Sequence, residues 1–279
     1  MGRKEGKIMS YTREDIIKEL SNRGYKAIPN DVYRNNAKLR GIVIGESRAN
    51  PCIYIDDFLE KGVSLEETIN TIINIYESNK SVTFDIDEIL SKDWVMEHIY
   101  IALQRTSNEP LIKKQSKFEG IEEYLYLKGS SFSIRLNEGL ISRIEVSIEE
   151  LWDRANSNTF RNGEVSISSI VDALGLDCTC DCYESDIPLF VVTNQEKHKG
   201  SIMIFSDEVI SFAKSKGAKY LLALPSSIHE FIIYVVKEDL STSELEEMKR
   251  NLSSIICCVN EQEVDEEEQL GEQPFVIKV

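Results

Sequence analysis

The chain has 279 residues, of which 42% are apolar and 29% charged, and this composition is typical of folded globular proteins rather than of disordered ones. Its formal net charge of -16 repels phosphate backbones and anionic lipids, so direct nucleic-acid binding is not expected. The longest apolar runs are about six residues, whereas a membrane-spanning helix needs about twenty. The sequence therefore predicts no membrane contact.

The N-terminus and the cysteines indicate the cellular compartment. Arg3, Lys4 and Lys7 are followed by polar residues instead of the apolar core of a secretory signal. Six cysteines in a chain of this length, without such a signal, are typical of reduced thiols rather than of a disulfide framework. We therefore expect a cytoplasmic protein.

Residues 11–76 predict two capped amphipathic helices with strands between them. Each helix begins with a hydroxyl side chain and an acidic residue three positions later, after which apolar residues recur at helical spacing. Segments rich in β-branched and aromatic residues, bounded by proline and asparagine, predict the strands. The expected elements are a helix from Thr12 to Gly24, a hairpin over 25–33 and 38–44, a strand over 52–55 and a helix from Ser64 to Tyr76.

The middle of the chain predicts an antiparallel meander followed by helices. Residues 94–103 alternate imperfectly, and we favour a strand over a helix there. Asn137-Glu138-Gly139 has the composition of a three-residue hairpin turn with glycine at a positive φ. The expected elements are strands over 121–127, 132–136 and 140–146, a capped helix that begins at Ser147, and a short helix over 168–174.

From residue 188 onward, short links between strands favour a mostly antiparallel sheet with a helix on one face. The acidic segment 261–272 holds seven acidic residues and no basic one, and we expect a solvated loop. The expected elements are strands over 189–193, 201–205, 220–224 and 230–236, helices over 207–216 and 245–259, and a terminal strand over 275–279.

Together these elements predict an α+β fold in which mostly antiparallel sheets are flanked by amphipathic helices. The length of the chain favours two modules. The polar stretch 177–187 is the candidate boundary, because Pro188 opens a run of different character. We expect an N-terminal α+β module over 10–176, a cysteine-containing linker over 177–187 and a C-terminal α+β module over 188–279.

Three segments carry a recognisable pattern, namely 190–200 (FVVTNQEKHKG), 224–230 (LPSSIHE) and 53–58 (IYIDDF). The pattern resembles an uncharacterised bacterial family catalogued as domain of unknown function 5688, and the resemblance extends from about residue 15 to residue 260. It implies no activity, cofactor or catalytic residue, since none is established for that family. The cysteine-containing linker and the acidic tail depart from the family's usual pattern.

Cys178, Cys180 and Cys182 alternate with other residues, so an extended backbone would place their three sulfurs on one side. Structural zinc takes four tetrahedral ligands, and Asp186 or His198 would have to complete the set. Because a one-residue spacing makes a poor chelate, we favour free thiols in a solvated linker. No cofactor is predicted.

His229 and Glu230 follow Ser226 and Ser227, and a serine beside a histidine is the pair that nucleophilic catalysis requires. Neither serine lies in a Gly-x-Ser-x-Gly elbow, and no glycine flanks either position to open an oxyanion site. We therefore favour a turn whose serines hydrogen-bond their own backbone, with His229 at the start of a strand.

Asp56 and Asp57 follow a strand and could hold a divalent cation, as nuclease carboxylates do. The alternative is that they cap a helix, and a chain with 48 acidic residues contains adjacent pairs by chance. The sequence has no phosphate-cradling glycine-rich motif, no His-Glu-x-x-His motif and no dinucleotide fingerprint.

These observations favour a non-enzymatic macromolecular interaction or regulatory protein whose acidic surface binds a basic protein partner. The alternative is a hydrolase or nuclease that combines Asp56, Asp57, His229 and Glu230. A thiol-based metal or redox sensor is a third hypothesis. Convergence of the carboxylates and the imidazole in one cleft would favour the enzyme.

Overall fold

The fold is α+β with antiparallel sheets, as the sequence predicts. A computed structural model describes residues 11–46, 50–79, 85–130, 132–173, 175 and 188–279. These residues form two compact units that divide between Ile89 and Leu90. The expected linker at 177–187 lies outside the described residues. None of the described helices has both the length and the apolar character that a membrane span requires.

The first unit contains helices and a sheet with the strand order β1-β2-β3. The predicted capping box is present at Thr12, whose hydroxyl accepts from the Asp15 N–H. Ile16, Leu20 and Ile69 are fully buried in the core of this unit. Its elements are α1 Arg13–Asn22, β1 Ala27–Arg34, β2 Ala37–Ile44, β3 Cys52–Tyr54, α2 Asp56–Glu60, α3 Leu65–Asn79 and α4 Ile86–Ile89.

The second unit holds the remaining elements around a larger apolar core. Its first half contains α5 Lys92–His98, β4 Ile99–Arg105, β5 Lys113–Gln115, β6 Ile121–Lys128, β7 Ser133–Arg135, α6 Glu138–Ile141, α7 Ile148–Thr159, β8 Val165–Ser169 and α8 Ile170–Ala173. Its second half contains β9 Leu189–Asn194, a 3₁₀ helix Gly200–Phe205, α9 Asp207–Ser215, β10 Tyr220–Ser227, β11 Glu230–Val236, α10 Thr242–Glu263 and β12 Phe275–Lys278.

Two antiparallel sheets form the frame of the second unit. One has the order β12-β10-β11-β9-β8, so β8 and β9, which flank the expected linker in sequence, pair with each other. The other has the order β4-β6-β5, with β7 also paired to β6. Leu103, Leu125, Val192, Leu221 and Phe231 meet in the shared core, and each is buried. Burial of each such side chain contributes about 1.5–3 kcal/mol relative to exposure.

The expected strands over 140–146 and 201–205 are wrong. Asn137 begins α6, because its side chain accepts a hydrogen bond from the Leu140 N–H at 2.9 Å and so caps a helix instead of closing a hairpin. Residues 201–205 form the 3₁₀ helix, of which residues 201–204 are buried. A short apolar run that is buried all round has no periodicity to separate strand from helix. The stretch 94–103 is likewise divided between α5 and β4.

The acidic segment 261–272 is attached to the second unit and is not a solvated loop. Leu270 is 1% exposed and belongs to the core. Glu268 accepts a backbone hydrogen bond from the Ile228 N–H at 2.8 Å, and Gln269 forms a bridge with Ser227. These contacts place the segment beside the turn between β10 and β11.

Candidate functional site

Two of the segments that carry the family resemblance, 190–200 and 224–230, meet at one end of the five-stranded sheet. β9 and β11 are neighbours, so the loop after β9 lies against the turn between β10 and β11. The Thr193 hydroxyl donates to the His229 carbonyl at 2.7 Å, and the Ser201 hydroxyl donates to the Ile228 carbonyl at 2.8 Å. Strand pairing thus brings two distant sequence motifs into one cluster.

Gly200 permits this close approach. A Cβ atom at this position would lie 2.3 Å from Thr193 Oγ1, 2.5 Å from Asn194 N and 2.9 Å from the His229 carbonyl oxygen. Two of these atoms belong to backbone that is paired in the sheet or held at its turn, so they cannot move away as the end of a flexible side chain would. Only glycine fits here without displacing the loop.

The loop of residues 195–199 is held in an unusual backbone conformation. Lys197 and Lys199 have φ angles of 54° and 51°, in the left-handed region, which costs about 1–2 kcal/mol for each non-glycine residue. The Asn194 amide donates to the His198 carbonyl at 2.8 Å and accepts from the His198 N–H at 3.1 Å. These two hydrogen bonds offset part of the strain in the loop.

His229 is oriented by hydrogen bonds at both ring nitrogens. Its Nδ1 accepts from the Lys199 N–H at 3.1 Å, and its Nε2 lies 3.1 Å from Glu268 Oε1. Because a backbone N–H can only donate, the neutral imidazole carries its proton on Nε2 and donates it to Glu268. The Ser227 hydroxyl accepts from the His229 N–H at 3.1 Å, and no ring nitrogen is left to accept its proton. This geometry gives His229 a positioning role.

His198 lies beside His229, with ring centroids 5.1 Å apart. The pKa of His198 is held below its ordinary value, chiefly because burial penalises the charged ring, with Lys199 and His229 adding to the effect. His198 Nε2 is 3.0 Å from Lys199 Nζ. Because the lowered pKa favours the neutral imidazole of His198, its Nε2 can accept a hydrogen bond from the Lys199 ammonium group.

A small open pocket of about 20 Å³, enough for about one water molecule, adjoins this cluster on the side of the four-stranded sheet. Ile101, Ile202 and Met203 supply apolar lining. Tyr100 and Tyr126, which are register partners on β4 and β6, supply aromatic lining with ring centroids 6.0 Å apart. Burial, the largest cause, raises the pKa of Tyr126 well above its ordinary value, so its hydroxyl stays protonated.

Charged side chains of both signs complete the pocket. Lys128 Nζ lies 5.2 Å from the Tyr100 ring centroid and forms an ion pair with Glu196. Lys199 Nζ lies 5.5 Å from the Tyr126 ring centroid. Glu164, which precedes β8, also lines the pocket. The loop that bonds His229 through its backbone therefore contributes Lys199 and Glu196 to the pocket through its side chains.

The aspartates proposed from the sequence lie in the first unit and have local partners. Both Asp56 carboxylate oxygens accept from Arg40, one from its Nε and the other from its backbone N–H at 2.7 Å. Asp57 pairs with Lys61 at 2.8 Å, four residues along the chain. Both aspartates are in the first turn of α2, where the helix dipole favours negative charge.

Glu230 begins β11 and pairs in register with Ser227, and its side chain is half-buried. Of the predicted catalytic residues, His229 and Glu230 thus belong to the second unit, whereas Asp56 and Asp57 belong to the first. The carboxylate that contacts the His229 ring is that of Glu268, which the sequence analysis did not single out.

The predicted metal ligands Cys178, Cys180, Cys182 and Asp186 lie outside the described residues. Within the part of the chain that the structure describes, no three histidine, cysteine or acidic side chains are grouped as a metal would require. His198, the remaining predicted ligand, contacts Lys199.

Sequence reasoning missed Glu268, Lys199 and Tyr126 as site residues. Glu268 is one of four consecutive acidic residues, so no spacing distinguishes it. Tyr126 lies in an expected strand and has the character of a core residue. The available signal was the segment that ends at Gly200, because a glycine that interrupts a pattern of other residues often marks a close approach of two backbones.

The fold and the site define an α+β protein with antiparallel sheets and a polar pocket beside a histidine-containing turn. The chain belongs to the Family of unknown function (DUF5688), whose model matches residues 8–277. Comparison with curated proteins and with solved structures found no match.

Proposed function

We propose that this protein is a non-enzymatic interaction protein, and that the exposed face of α10 binds a basic helical segment of a protein partner. The distribution of charge supports this proposal. Residues 242–272 carry ten acidic and two basic residues, a net charge of -8, which is half of the -16 carried by the whole chain. This region therefore concentrates the field that attracts a basic partner.

One row of exposed residues on α10 has the composition of a docking surface. Glu247, Asn251, Ile255, Val259 and Glu263 follow one another at a spacing of four, so they are neighbours along one side of the helix, and we call them the α10 row. All five are exposed, including Ile255 at 58% and Val259 at 42%. An apolar centre with a carboxylate at each end is the single observation that carries the proposal.

The α10 row is separate from the face that α10 packs against its own sheet. Leu245, Leu252 and Ile256 contact a cluster that includes Leu222 and Leu224 of β10. These residues account for the stability of the helix in the fold. The exposed apolar pair of the row adds nothing to that packing, and adjacent exposed apolar side chains are typical of interaction surfaces.

Charge complementarity indicates which kind of partner binds the α10 row. A second copy of the chain would bring glutamates against glutamates, which is unfavourable. Glu247 and Glu263 are 16 residues apart, so at a rise of 1.5 Å per residue they lie about 24 Å apart along the helix. A partner helix with apolar residues at its centre and Lys or Arg at its ends, about 24 Å apart, matches both features.

A pair of synthetic peptides tests this proposal. One is an amphipathic helix of about 20 residues with leucines at its centre and lysines at its ends, and the other has glutamate in place of each lysine. Titration calorimetry with the full chain is expected to show saturable binding of the lysine peptide that weakens at high salt, because exposed charges are screened. The glutamate peptide is expected not to bind.

Matched variants locate the binding surface. The double variant Ile255→Ser and Val259→Ser is expected to weaken binding of the lysine peptide by about tenfold or more, because burial of the apolar pair is lost. Ile148→Ser is the control, since Ile148 is 48% exposed on α7 and outside the row. Equal binding of both peptides, or equal losses in the double variant and the control, would overturn the proposal.

A cytoplasmic setting is part of the same proposal. The cysteines within the described residues, Cys52, Cys257 and Cys258, are free thiols. Cys257 and Cys258 are adjacent on α10, and Cys258 is exposed close to the α10 row. A reducing compartment would keep such thiols available and the surface intact.

A further inference from the structure

The His229 ring has two contacts that respond in opposite ways to its protonation. Its Nδ1 accepts a hydrogen bond from the Lys199 N–H at 3.1 Å, and its Nε2 lies 3.1 Å from Glu268 Oε1. A protonated imidazole donates from both nitrogens. The contact with Glu268 then gains the attraction of opposite charges, whereas the contact with Lys199 brings two N–H donors face to face. Protonation is therefore incompatible with the observed position of the Lys199 N–H.

A flip of the peptide between His198 and Lys199 removes this conflict. Lys199 has a φ of 51° and a ψ of 32°, in the left-handed region that is unfavourable for a residue with a side chain. Rotation of the peptide by about 180° turns its N–H away from the ring and carries φ of Lys199 out of that region. The same rotation turns the His198 carbonyl towards His229, where its oxygen can accept from the protonated Nδ1.

Asn194 maintains the observed orientation of this peptide. Its side-chain amide donates to the His198 carbonyl at 2.8 Å, and its side-chain oxygen accepts from the His198 N–H at 3.1 Å. The flip breaks only the first of these bonds, because the His198 N–H belongs to the preceding peptide. That bond is exposed, so water can replace it at little cost. The two orientations thus differ by few interactions, and a change of charge on one ring can shift the balance between them.

Charged and titratable groups from three elements surround His229. Glu268, from the acidic segment, favours the protonated ring. Lys199 and His198 belong to the loop after β9, and Glu230 follows His229 at the start of β11. The Lys199 ammonium group lies 3.0 Å from His198 Nε2, and burial holds the pKa of His198 below its ordinary value. Glu268 is thus the charged group that directly supports protonation of His229.

We propose that His229 is a pH-sensitive switch whose protonation flips the His198–Lys199 peptide. At alkaline pH the neutral ring accepts from the Lys199 N–H. When the ring becomes charged in the pH range in which histidine titrates, it donates to Glu268 and to the His198 carbonyl. The switch changes the loop of residues 195–199 and involves no residue of the α10 row, so this proposal and the proposed function can fail independently.

Solution NMR of the full chain at a series of pH values between about 5 and 8 tests the switch. The exchange of the Lys199 amide proton with solvent is corrected for the intrinsic effect of pH, and the coupling between the amide and α protons of Lys199 reports φ. Loss of the hydrogen bond is expected to accelerate the corrected exchange by about tenfold at the acidic end. The coupling is expected to change with the same midpoint as the nitrogen shifts of the His229 ring.

Two variants separate the roles of the two ring nitrogens. The asparagine amide oxygen is one bond beyond Cγ, as Nδ1 is, so His229→Asn keeps an acceptor for the Lys199 N–H and cannot be charged. Its Lys199 signals are expected not to change with pH. The glutamine amide nitrogen is two bonds beyond Cγ, as Nε2 is, so His229→Gln keeps a donor for Glu268 and loses the acceptor. Rapid exchange of the Lys199 amide is expected in this variant at every pH.

His198→Asn is the control, because it removes the neighbouring imidazole and keeps the peptide that flips. The pH transition of Lys199 is expected to persist in it. Unchanged Lys199 signals over the whole pH range would overturn the inference, as would a transition that persists in His229→Asn or disappears in His198→Asn. If His229→Asn does not fold, the unaltered chain still decides, because different midpoints for Lys199 and for the His229 ring would contradict the switch.

Discussion

Replacement of Gly200 by alanine tests whether close backbone approach holds the candidate site together. The new Cβ would meet Thr193 Oγ1 at 2.3 Å and Asn194 N at 2.5 Å, and both positions are fixed by the strand β9. Real Cβ atoms essentially never lie within 3.0 Å of such neighbours. The loop or the turn must therefore shift.

The magnitude follows from the contacts that the shift disturbs. Forcing one extra carbon into a closely packed site costs about 1–3 kcal/mol. The displacement also weakens the bond from Thr193 to the His229 carbonyl, at 2.7 Å, and the bond from the Lys199 N–H to His229 Nδ1, at 3.1 Å. Each hydrogen bond contributes about 0.5–1.5 kcal/mol. Gly200→Ala is thus expected to lower the free energy of unfolding by about 2–6 kcal/mol.

Urea unfolding followed by tryptophan fluorescence measures this loss, because the two tryptophans, Trp94 and Trp152, both lie in the second unit. Alanine variants of two other glycines are controls that separate steric overlap from backbone strain as the cause of the loss. Gly217 has a φ of +74° and nothing within 4 Å of a built Cβ, so Gly217→Ala reports backbone strain of about 1–2 kcal/mol. Gly139 lies in α6 with its nearest atom at 3.4 Å, so alanine there is expected to be neutral or stabilising by up to about 1 kcal/mol.

The comparison of Gly200→Ala with Gly139→Ala tests the steric explanation directly. Equal stability of these two variants would refute the steric reasoning and, with it, the structural basis of the cluster. Gly200 is not among the glycines with positive φ, so a loss in Gly200→Ala that is no larger than that in Gly217→Ala would also count against the steric reasoning.

Three further outcomes are expected. Ser241→Ala removes the capping box at the start of α10, in which the Glu244 carboxylate accepts from the Ser241 N–H at 2.8 Å, and should cost about 1 kcal/mol in urea unfolding. Phe231→Ala leaves a cavity at a fully buried core position and should cost about 3–5 kcal/mol in the same assay, so a loss below 1 kcal/mol would contradict the packing. The pKa of His198 is lowered, chiefly by burial, so the unfolded chain binds this proton at higher pH than the folded chain. Stability should therefore fall as pH drops below the ordinary histidine value of 6.5, and His198→Asn should lose less over the same pH range.

Local sequence patterns determined most of the regular structure. The hydroxyl side chains of Thr12 and Ser147 each accept a hydrogen bond from a backbone N–H three residues later, and each begins the predicted helix. The hairpin of β1 and β2 turns at Asn35 and Asn36, both with positive φ, as the asparagine pair indicates. These features depend on interactions between residues close in sequence, so one sequence suffices to predict them.

Sequence alone does not separate helix from strand where a segment is buried on all sides, because its apolar residues then show no periodicity. The apolar run after Gly200 is enclosed by protein, and its side chains show neither the two-residue nor the 3.6-residue period. Asn137 was assigned to a turn because asparagine is favoured both in turns and at helix starts. Tertiary contacts chose between these alternatives.

Only the tertiary structure decided the composition of the candidate site. The sequence alone identified His229 and the segment that ends at Gly200, but not that the Lys199 N–H bonds the His229 ring or that Glu268 contacts its other nitrogen. Nor did it separate Tyr126 from the core residues around it. Helix caps and turns arise from neighbours along the chain, whereas this site arises from the order in which β9, β10 and β11 pair, and that order depends on contacts between distant residues.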